Sequence, residues 1–370
     1  MKYNSMCRVQ DMDEENHTKS DQAASSKRPL QSEKELGIFE KYLPLWVAIC
    51  MIAGIVLSLT IPGIGEAIDS WKIGNISVPI GICLFLMMYP AMLNIQASEL
   101  RKLGKNPKPI ILTLFSNWII APIVGFALAN VFLAGNAQLI VAIILLSSSP
   151  CTAMVLVWGY LAEGNQEQNV VNTTLNTATI IVLYAPIVAL FTGISAIPID
   201  RWALFVSVLV FIGIPLMLGI ITRKSLVPWK GIEWFNEKYR PAVGKLALIA
   251  LLTTLVVLFS LNGRVMLENP DLLVLVSVPL LIGFAIVVGY NLLVTRMANL
   301  AYREGVITVI IGSSSHFEIA IATAIAIYGV GSIAALGTTM GLFWEVPVML
   351  GIVYLGKYLQ RRNYWKGKPM

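Results

Sequence analysis

The sequence predicts an all-α integral membrane protein with ten transmembrane helices, which form two inverted five-helix repeats with broken, crossed helices four and nine. Three observations lead to this prediction. The 370 residues are 56% hydrophobic and only 13% charged, about half the charged fraction of a typical soluble domain. Apolar segments of membrane-spanning length recur along the chain. Two of these segments are interrupted by polar residues at corresponding places.

The spans are assigned where roughly 20 apolar residues follow one another, the length that a helix needs to cross a bilayer. They cover residues 43–62, 76–96, 109–133, 139–161, 172–194, 201–221, 244–261, 272–295, 306–329 and 332–356. Before them, residues 1–40 are too polar to bury a core and predict a disordered cytoplasmic tail. This tail has no short apolar segment near Met1, so no cleavable signal is expected. Residues 358–370 form a basic tail.

Lysine and arginine residues are distributed unequally between the two sides of the predicted membrane. If the N-terminus is inside, the inner segments hold 24 of the 27 Lys and Arg residues, and the outer loops hold only Lys72, Arg201 and Arg264. The positive-inside rule therefore predicts that both termini are cytoplasmic, as in a multi-pass protein of the plasma membrane. The net charge of +6 reflects this topology, and no nucleic-acid partner is expected.

The ten spans divide into two sets of five, residues 41–196 and 197–357. A shift of 166 residues places Ser147–Ser149 on Ser313–Ser315, and spans five and ten each contain an internal proline. Because five is an odd number, the second set enters the membrane in the opposite orientation. This pattern predicts an inverted repeat of the kind found in secondary transporters.

The interruptions lie in spans four and nine, the fourth member of each set. Span four contains "LLSSSPCTAMVLVW" at 145–158, and span nine contains "IIGSSSHFEIAIAT" at 310–323. Pro150 removes a backbone donor, and irregular backbone at membrane depth is tolerated only where it lines a cavity or contacts protein. Such paired interruptions indicate a midplane binding site. Cys151 and Glu318 follow the two interruptions, at the positive ends of the half-helices.

Two carboxylates lie inside the spans, Glu318 and Glu345, while the other acidic residues lie in tails, loops or span ends. A charge at membrane depth costs at least ~2.5 kcal/mol on insertion scales, so both are candidates for proton coupling. Glu345 has a second interpretation, since it could bond backbone groups freed by Pro347. His316 either tunes Glu318 or hydrogen-bonds a neighbouring turn.

Several uncharged polar residues are candidates for the same gap: Ser148, Ser149, Ser314, Ser315 and Asn117, together with Trp118. Asn172 and Asn176 in span five are expected to form interhelical hydrogen bonds instead.

The four cysteines are Cys7, Cys50, Cys83 and Cys151, and they follow no CxxC pattern, so no disulfide framework is expected. Cys50 and Cys83 are interpreted as small apolar fillers. The thiol of Cys151 selects soft, thiophilic species over hard cations. A carboxylate with no fixed cationic partner in the spans can gain and lose a proton. The chemistry indicates proton-coupled movement of a small, soft solute, without a cofactor.

Five stretches carry a resemblance to a known family. "SPCTAMVLVWGYLAEGN" (149–165) and "SSHFEIAIATAIAIYGVGS" (314–332) resemble the two signature stretches of the arsenical-resistance arsenite efflux permeases. These permeases belong to the bile acid/arsenite/riboflavin transporter superfamily. "LMMYPAMLNI", "NWIIAPIVGFALANVFL" and "WEVPVMLGIVYL" also resemble the family's spans two, three and ten, so the likeness covers nearly all of 43–357.

The resemblance implies a secondary transporter, not an enzyme, that exports arsenite, As(III), in exchange for protons. It places the family's essential cysteine on Cys151, as the ligand of the metalloid, and its essential glutamate on Glu318. Asn117 falls on the family's Asn-Trp pair. The resemblance leaves open whether antimonite is carried too and what the oligomeric state is. Many members read Asn-Asp where this chain reads Asn176-Thr177, so an acidic partner is missing there.

Two other functions are weighed against this one. The nearer is a transporter of the same fold that carries an organic anion with Na+, but the cation would want paired acidic or polar ligands near both crossings. The other is an intramembrane hydrolase that uses a serine with His316. It has little support, because the sequence contains no GxSxG or HExxH motif and no aspartate in any span.

Overall fold

The computed structural model describes most of the chain beyond the N-terminal tail. The described residues are 42–61, 63, 67, 70–73, 76–93, 107–152, 154–268, 270–329 and 331–367. The chain divides into two units, Met1–Leu45 and Trp46–Met370, and the site described below belongs to the second. The predicted disordered tail at 1–40 and Cys7 lie outside the described residues.

The described part of the chain is almost entirely helical. In chain order its helices are α1 (Leu43–Thr60), α2 (Val78–Leu93), α3 (Pro107–Phe132), α4 (Ala137–Ser147), α5 (Met154–Leu161), α6 (Gln166–Ile194), α7 (Arg201–Lys230), α8 (Ile232–Trp234 continuing to Arg240–Glu268), α9 (Pro270–Met297), α10 (Tyr302–Gly312), α11 (Phe317–Tyr328) and α12 (Ile333–Arg361). The strands found within these ranges are β1 (Lys72–Ile73) and β2 (Ile76–Ser77), an antiparallel hairpin. The all-helical prediction is confirmed, with this hairpin as the exception.

Among the described residues, six helices are long and apolar enough to cross a membrane by length and composition: α3, α6, α7, α8, α9 and α12. The shorter apolar helices of the described residues are α1 (from Leu45 onward), α2, α4 and α11. Three long helices each contain a π-helical turn, at Ser116–Ile120 in α3, Leu209–Gly213 in α7 and Phe235–Tyr239 in α8. Such turns recur at functional sites in other proteins, and the one in α3 contains Asn117.

Helix ends follow local capping residues. The side chain of Asn165 accepts a hydrogen bond from the Gln168 N–H at 3.2 Å, so α6 begins before its predicted start at 172. Between the predicted spans 201–221 and 244–261 the chain stays helical, and α7 and α8 are separated only by Gly231 at φ +86°. Hydropathy marks the apolar part of a helix, whereas Arg, Lys and Glu continue it beyond that part as good helix formers.

Two groups of helices pack around the interruptions. In the first group α2 packs against α7 and α8, and Gly54 of α1 lies close to Phe259 of α8. In the second group α3 packs against α4 and α9, and α12 packs against α4, α9 and α11. Helix α11 also contacts α2 and α7, so it lies where the groups meet.

The half-helices beside the interruptions are the most enclosed part of the fold. Helices α4, α10 and α11 are buried around their whole circumference over 139–146, 304–312 and 317–326. A helix that is apolar on every side requires protein or lipid on every side. Burial in protein leaves the interruptions no solvent for their backbone groups, which must therefore find partners among neighbouring side chains.

Candidate functional site

The two interruptions contact each other directly. The first lies between Ser147 and Met154, the second between Gly312 and Phe317. Pro150 and Ser315 form an isolated antiparallel bridge. The His316 N–H donates to the Ser149 carbonyl at 2.6 Å, and the Ser149 hydroxyl donates to the His316 carbonyl at 3.3 Å. Residues 167 positions apart in sequence thereby satisfy each other's backbone groups.

Cys151 is held at the first interruption through its carbonyl group. It is 1% exposed, and its carbonyl accepts from Asn176 Nδ2 at 3.3 Å. Asn117 Nδ2 in turn donates to Asn176 Oδ1 at 3.2 Å. The predicted interhelical role of the span-five asparagines is confirmed here, and Asn172 likewise donates to Thr113 at 3.2 Å.

Glu318 is paired with His316 across the start of α11. Glu318 Oε2 lies 2.8 Å from His316 Nδ1, and His316 Nε2 lies 2.8 Å from the Thr152 hydroxyl. His316 therefore contacts both Glu318 and a side chain of the first interruption. The carboxylate of Glu318 thus has a hydrogen-bond partner in the histidine two residues before it.

Glu345 of α12 binds the second interruption. Its Oε1 accepts from the Ser315 N–H at 3.1 Å and its Oε2 from the Ser315 hydroxyl at 2.5 Å. The alternative in which Glu345 bonds backbone groups freed by Pro347 is replaced by this contact with another element. A carboxylate that accepts both bonds from one residue holds the extended backbone of that residue in place.

The remaining predicted serines lie on the same two segments. Ser148 is fully buried, and its hydroxyl has no hydrogen-bond partner among the described residues. Ser149 Oγ also donates to the Leu145 and Leu146 carbonyls at 3.0 Å. Ser314 Oγ donates to the Ile311 carbonyl at 3.2 Å. Ser148, three residues before Cys151, therefore has an unused donor and acceptor.

Sequence reasoning missed a second polar group on the other side of the interruptions. Asn291 Nδ2 of α9 donates to Ser116 Oγ at 2.8 Å and to Ser313 Oγ at 3.1 Å. Ser116 Oγ donates to the Gly312 carbonyl at 2.9 Å. Ser116 and Asn117 are consecutive residues in the π-helical turn of α3. Ser116 contacts the second interruption at Gly312, and Asn117 is linked to the first interruption through Asn176. The sequence signal for this polar group was Asn291, an asparagine inside the apolar span 272–295.

One cavity approaches the site from the side of α9. It is lined by α3, α4, α9 and Ser313–Ser315. The described residues that line it do not include Cys151 or Glu318. Glu318 is 5% exposed and Glu345 is 2% exposed. In this conformation the thiol and both carboxylates are enclosed.

Comparison with known proteins agrees with this architecture. Residues 81–269 match the model of the Sodium Bile acid symporter family. The chain is 39% identical over 342 residues to the uncharacterised transporter slr0944 of Synechocystis sp., covering 87% of this chain and 89% of the relative. It is 35% identical over 353 residues to the arsenical-resistance protein Acr3 of Alkaliphilus metalliredigens, covering 90% of this chain and 95% of that protein.

A second arsenical-resistance protein Acr3, from Corynebacterium glutamicum, is 30% identical over 328 residues, which cover 86% of this chain and 89% of that protein. The chain belongs to the arsenical-resistance branch of the sodium bile acid symporter family. As a member of this branch it is a multi-span membrane transporter. The stretches with Cys151 and Glu318, on which the resemblance was first recognised, contain the two segments that meet in the structure.

Proposed function

We propose that this chain is a secondary active transporter that exports arsenite across the plasma membrane in exchange for protons, and so confers resistance to arsenic. One observation carries the proposal. The interruption with the thiol of Cys151 and the interruption with the carboxylate of Glu318 are joined through Thr152 and His316. A side chain suited to bind a soft metalloid and a side chain suited to carry a proton are thus connected by hydrogen bonds. The relatives of the chain include two proteins named for arsenical resistance.

The proposed architecture is ten spans in two inverted repeats, residues 41–196 and 197–357, with cytoplasmic tails at 1–40 and 358–370. The hydrogen bonds at the interruptions support it. The fifth span of each set sends one polar side chain to the interruption in its own set: Asn176 to the Cys151 carbonyl, and Glu345 to the Ser315 N–H. Repeats of common origin would preserve this equivalence.

Arsenite would bind first to the thiol of Cys151. At neutral pH the substrate is As(OH)₃, and the sulfur displaces one hydroxyl group, so that an S–As bond forms, an As–O bond breaks and the thiol proton leaves with the hydroxyl as water. Release on the other side is the reverse reaction with water. A single thiolate binds reversibly, whereas three would hold the metalloid too tightly for transport.

Polar side chains around the thiol would bind the remaining hydroxyl groups of the substrate. Ser148 has an unused hydroxyl. Ser149, Ser314 and Ser315 lie on the two interruptions, and Asn117 lies in α3. Because these four side chains are hydrogen-bonded to other residues in the enclosed conformation, substrate binding would require those bonds to be exchanged. Antimonite has the same soft character and would compete at the same thiol.

Proton exchange would be carried by Glu318, with His316 as its link to the substrate segment. When Glu318 is ionised, the ring of His316 donates to it through Nδ1; when Glu318 is protonated, that bond must be rearranged. The change reaches Thr152, next to Cys151, through Nε2. Glu345 would hold the backbone of Ser315 in place during the cycle through its two hydrogen bonds to that residue.

The proposal is tested by As(III) uptake into everted membrane vesicles under an imposed pH gradient. Wild type is compared with Cys151→Ser and Glu318→Gln, and with the control variants Cys83→Ser and Glu167→Gln. We expect uptake by wild type and both controls, its loss on collapse of the gradient, and at least a tenfold loss in the two site variants, which corresponds to about 1.4 kcal/mol.

Two results would contradict parts of the proposal. Uptake by wild type that persists after the gradient is collapsed would exclude proton exchange. Full activity in Cys151→Ser would exclude the thiol as the ligand. Unlabelled antimonite added to the same assay reports, through competition, whether it shares the site.

A further inference from the structure

The turn between α7 and α8 carries charges and aromatic rings that the proposed transport site does not use. Residues 223–245, which we call the basic turn, contain two acidic residues and six basic ones: Arg223, Lys224, Lys230, Lys238, Arg240 and Lys245. The turn between α5 and α6 differs, because residues 161–169 contain two glutamates and no lysine or arginine. Positive charge is therefore a property of this turn and not of every turn between helices.

Two exposed tryptophans place the basic turn at the depth of the lipid headgroups. Trp202 in the first turn of α7 is 72% exposed, and Trp229 near the end of α7 is 73% exposed. They are 27 residues apart, which corresponds to about 40 Å along a helix that rises 1.5 Å per residue. A bilayer with its headgroup layers is about 40–45 Å thick, and tryptophans concentrate at its two surfaces. When Trp202 lies at one surface, Trp229 lies at the other.

Contacts with α2 anchor the basic turn to the rest of the fold. Arg223 donates a hydrogen bond to the carbonyl of Leu93, the last residue of α2, at 3.1 Å. Its guanidinium also lies 5.5 Å from the centre of the Phe235 ring of α8. The hydroxyl of Tyr89 in α2 lies 2.9 Å from the hydroxyl of Tyr239 in α8. The backbone of the basic turn is thus positioned by protein contacts and needs no ligand to form.

Three lysines of the basic turn carry charges that no acidic side chain neutralises. Lys224, Lys230 and Lys238 are exposed, and within the described ranges none of them forms an ion pair. Lys357 of α12 differs, because its Nζ lies 2.8 Å from Glu163 Oε1. Exposed cations of one sign attract an anionic partner.

Apolar side chains are exposed next to these charges. Lys230 Nζ lies 4.3 Å from the centre of the Trp229 ring and 5.8 Å from that of the Trp234 ring, a cation–π arrangement. Ile232, directly after the turn, is 43% exposed. Cations beside exposed apolar side chains fit a ligand in which an anionic group adjoins a hydrocarbon region. A free inorganic anion would use the cations alone.

We propose that the basic turn binds anionic phospholipids of the surrounding bilayer. The headgroup phosphates would be attracted to Lys224, Lys230 and Lys238, while Trp229 and Ile232 would contact the glycerol region and the upper acyl chain. Clusters of basic residues directly beside a membrane-spanning helix recognise anionic headgroups in this way. The attraction is that of a charged surface, so the ammonium groups need not meet at one point. Because α2 packs against α7 and α8, bound lipid would hold the ends of all three helices at the bilayer surface.

The test is a titration of the purified full chain, in a neutral detergent, with phosphatidylglycerol that carries a fluorescent acyl chain. Energy transfer from tryptophan reports binding, and phosphatidylcholine with the same label is the neutral reference. We expect wild type to bind the anionic lipid at least tenfold more tightly than the neutral one. This preference should fall as the salt concentration rises, because salt screens exposed charges.

Two variants with equal loss of charge locate the binding surface. The turn variant replaces the three exposed lysines of the basic turn with glutamine, and it should lose most of the tenfold preference. The control variant removes the same charge from other helix ends, through Lys108→Gln, Lys357→Gln and Lys366→Gln. It should keep the preference of wild type. Trp229→Ala should weaken the binding of both lipids alike, because it removes apolar contact without changing charge.

Three results would overturn the proposal. Wild type could bind both lipids equally, or the turn variant and the control variant could lose the preference equally, so that total charge explains it. Inorganic phosphate could displace the labelled phosphatidylglycerol at constant ionic strength, which would indicate a site for a free anion. Cys151→Ser should bind lipid as wild type does while losing arsenite transport, so this proposal and the proposed function fail independently.

Discussion

Glu318 and Glu345, the two buried carboxylates at the interruptions, differ in their chemistry because their hydrogen-bond partners differ. Glu318 is paired with an ionisable ring, and that ring also holds Thr152. Glu345 is held by the N–H and hydroxyl of Ser315, neither of which titrates in the physiological range. In the proposed mechanism, a change of protonation at Glu318 would alter the hydrogen bonds of His316, whereas Glu345 would hold the backbone of Ser315 in place. This asymmetry is the reason to assign proton exchange first to Glu318.

Replacing His316 with Ala should lower the free energy of unfolding by about 1–3 kcal/mol, because it leaves buried groups of Glu318 and Thr152 without a partner. Combined with Glu318→Gln, the loss should be smaller than the sum of the single losses, since both changes remove the same bond. Denaturant unfolding in detergent measures each value. As a control, Asn165→Ala, at the distant cap of α6, should add to His316→Ala. Additive losses for the first pair would mean that the bond contributes nothing.

At the scale of elements, close helix contacts surround the interruptions. A Cβ on Gly337 of α12 would lie 2.9 Å from the Cβ of Ala142 of α4, nearer than carbon atoms pack without displacement. A Cβ on Gly312 would lie 2.7 Å from Asn291 Oδ1. Glycines therefore allow α12 and α9 to approach the half-helices closely enough for Glu345 and Asn291 to reach the interruptions.

Gly337→Val should accordingly destabilise the protein by about 1–3 kcal/mol, because the added side chain overpacks the contact between α12 and α4. Gly351→Val on the same helix is the matched control, since a Cβ there meets no atom within 4 Å among the described residues. Gly351→Val should destabilise the protein less than Gly337→Val, because the valine would lie on an open helix face. The Tm of the two variants in one detergent decides the comparison, and equal losses would point to helix propensity instead of packing.

At the scale of the whole molecule, the arrangement depends on chain direction. The proposed ten-span topology would place the turn between α3 and α4 outside and the start of α6 inside. The first interruption would then be approached from outside through α4 and the second from inside through α10. Two segments that enter the site from opposite sides run in opposite directions, which agrees with the antiparallel pairing of Pro150 with Ser315.

Cysteine labelling tests this topology directly. In a background with serine at all native cysteines, Ala134→Cys should react with a membrane-impermeant thiol reagent in intact cells, because Ala134 is exposed in the turn after α3. Glu167→Cys and Lys366→Cys, also at exposed positions, should react only after the membrane is permeabilised. Labelling of all three in intact cells would be incompatible with ten spans and cytoplasmic ends.

The sequence by itself determined the helical class, the positions of the interruptions and the identity of Cys151 and Glu318 as candidates. These follow from local properties: apolar runs, a proline after serines, and charges where none is expected. Family membership also follows from sequence, through the two signature stretches.

Only the tertiary structure decided what each polar residue contacts. Glu345 reaches Ser315 across 30 positions, Asn291 reaches Ser116 across 175, and Gln168 reaches Thr308 across 140. No local pattern encodes such contacts, because they depend on which helix faces oppose each other after packing. Burial works in the same way: Glu304 and Glu167 are both acidic residues in a first helical turn, and only packing encloses the first and leaves the second exposed.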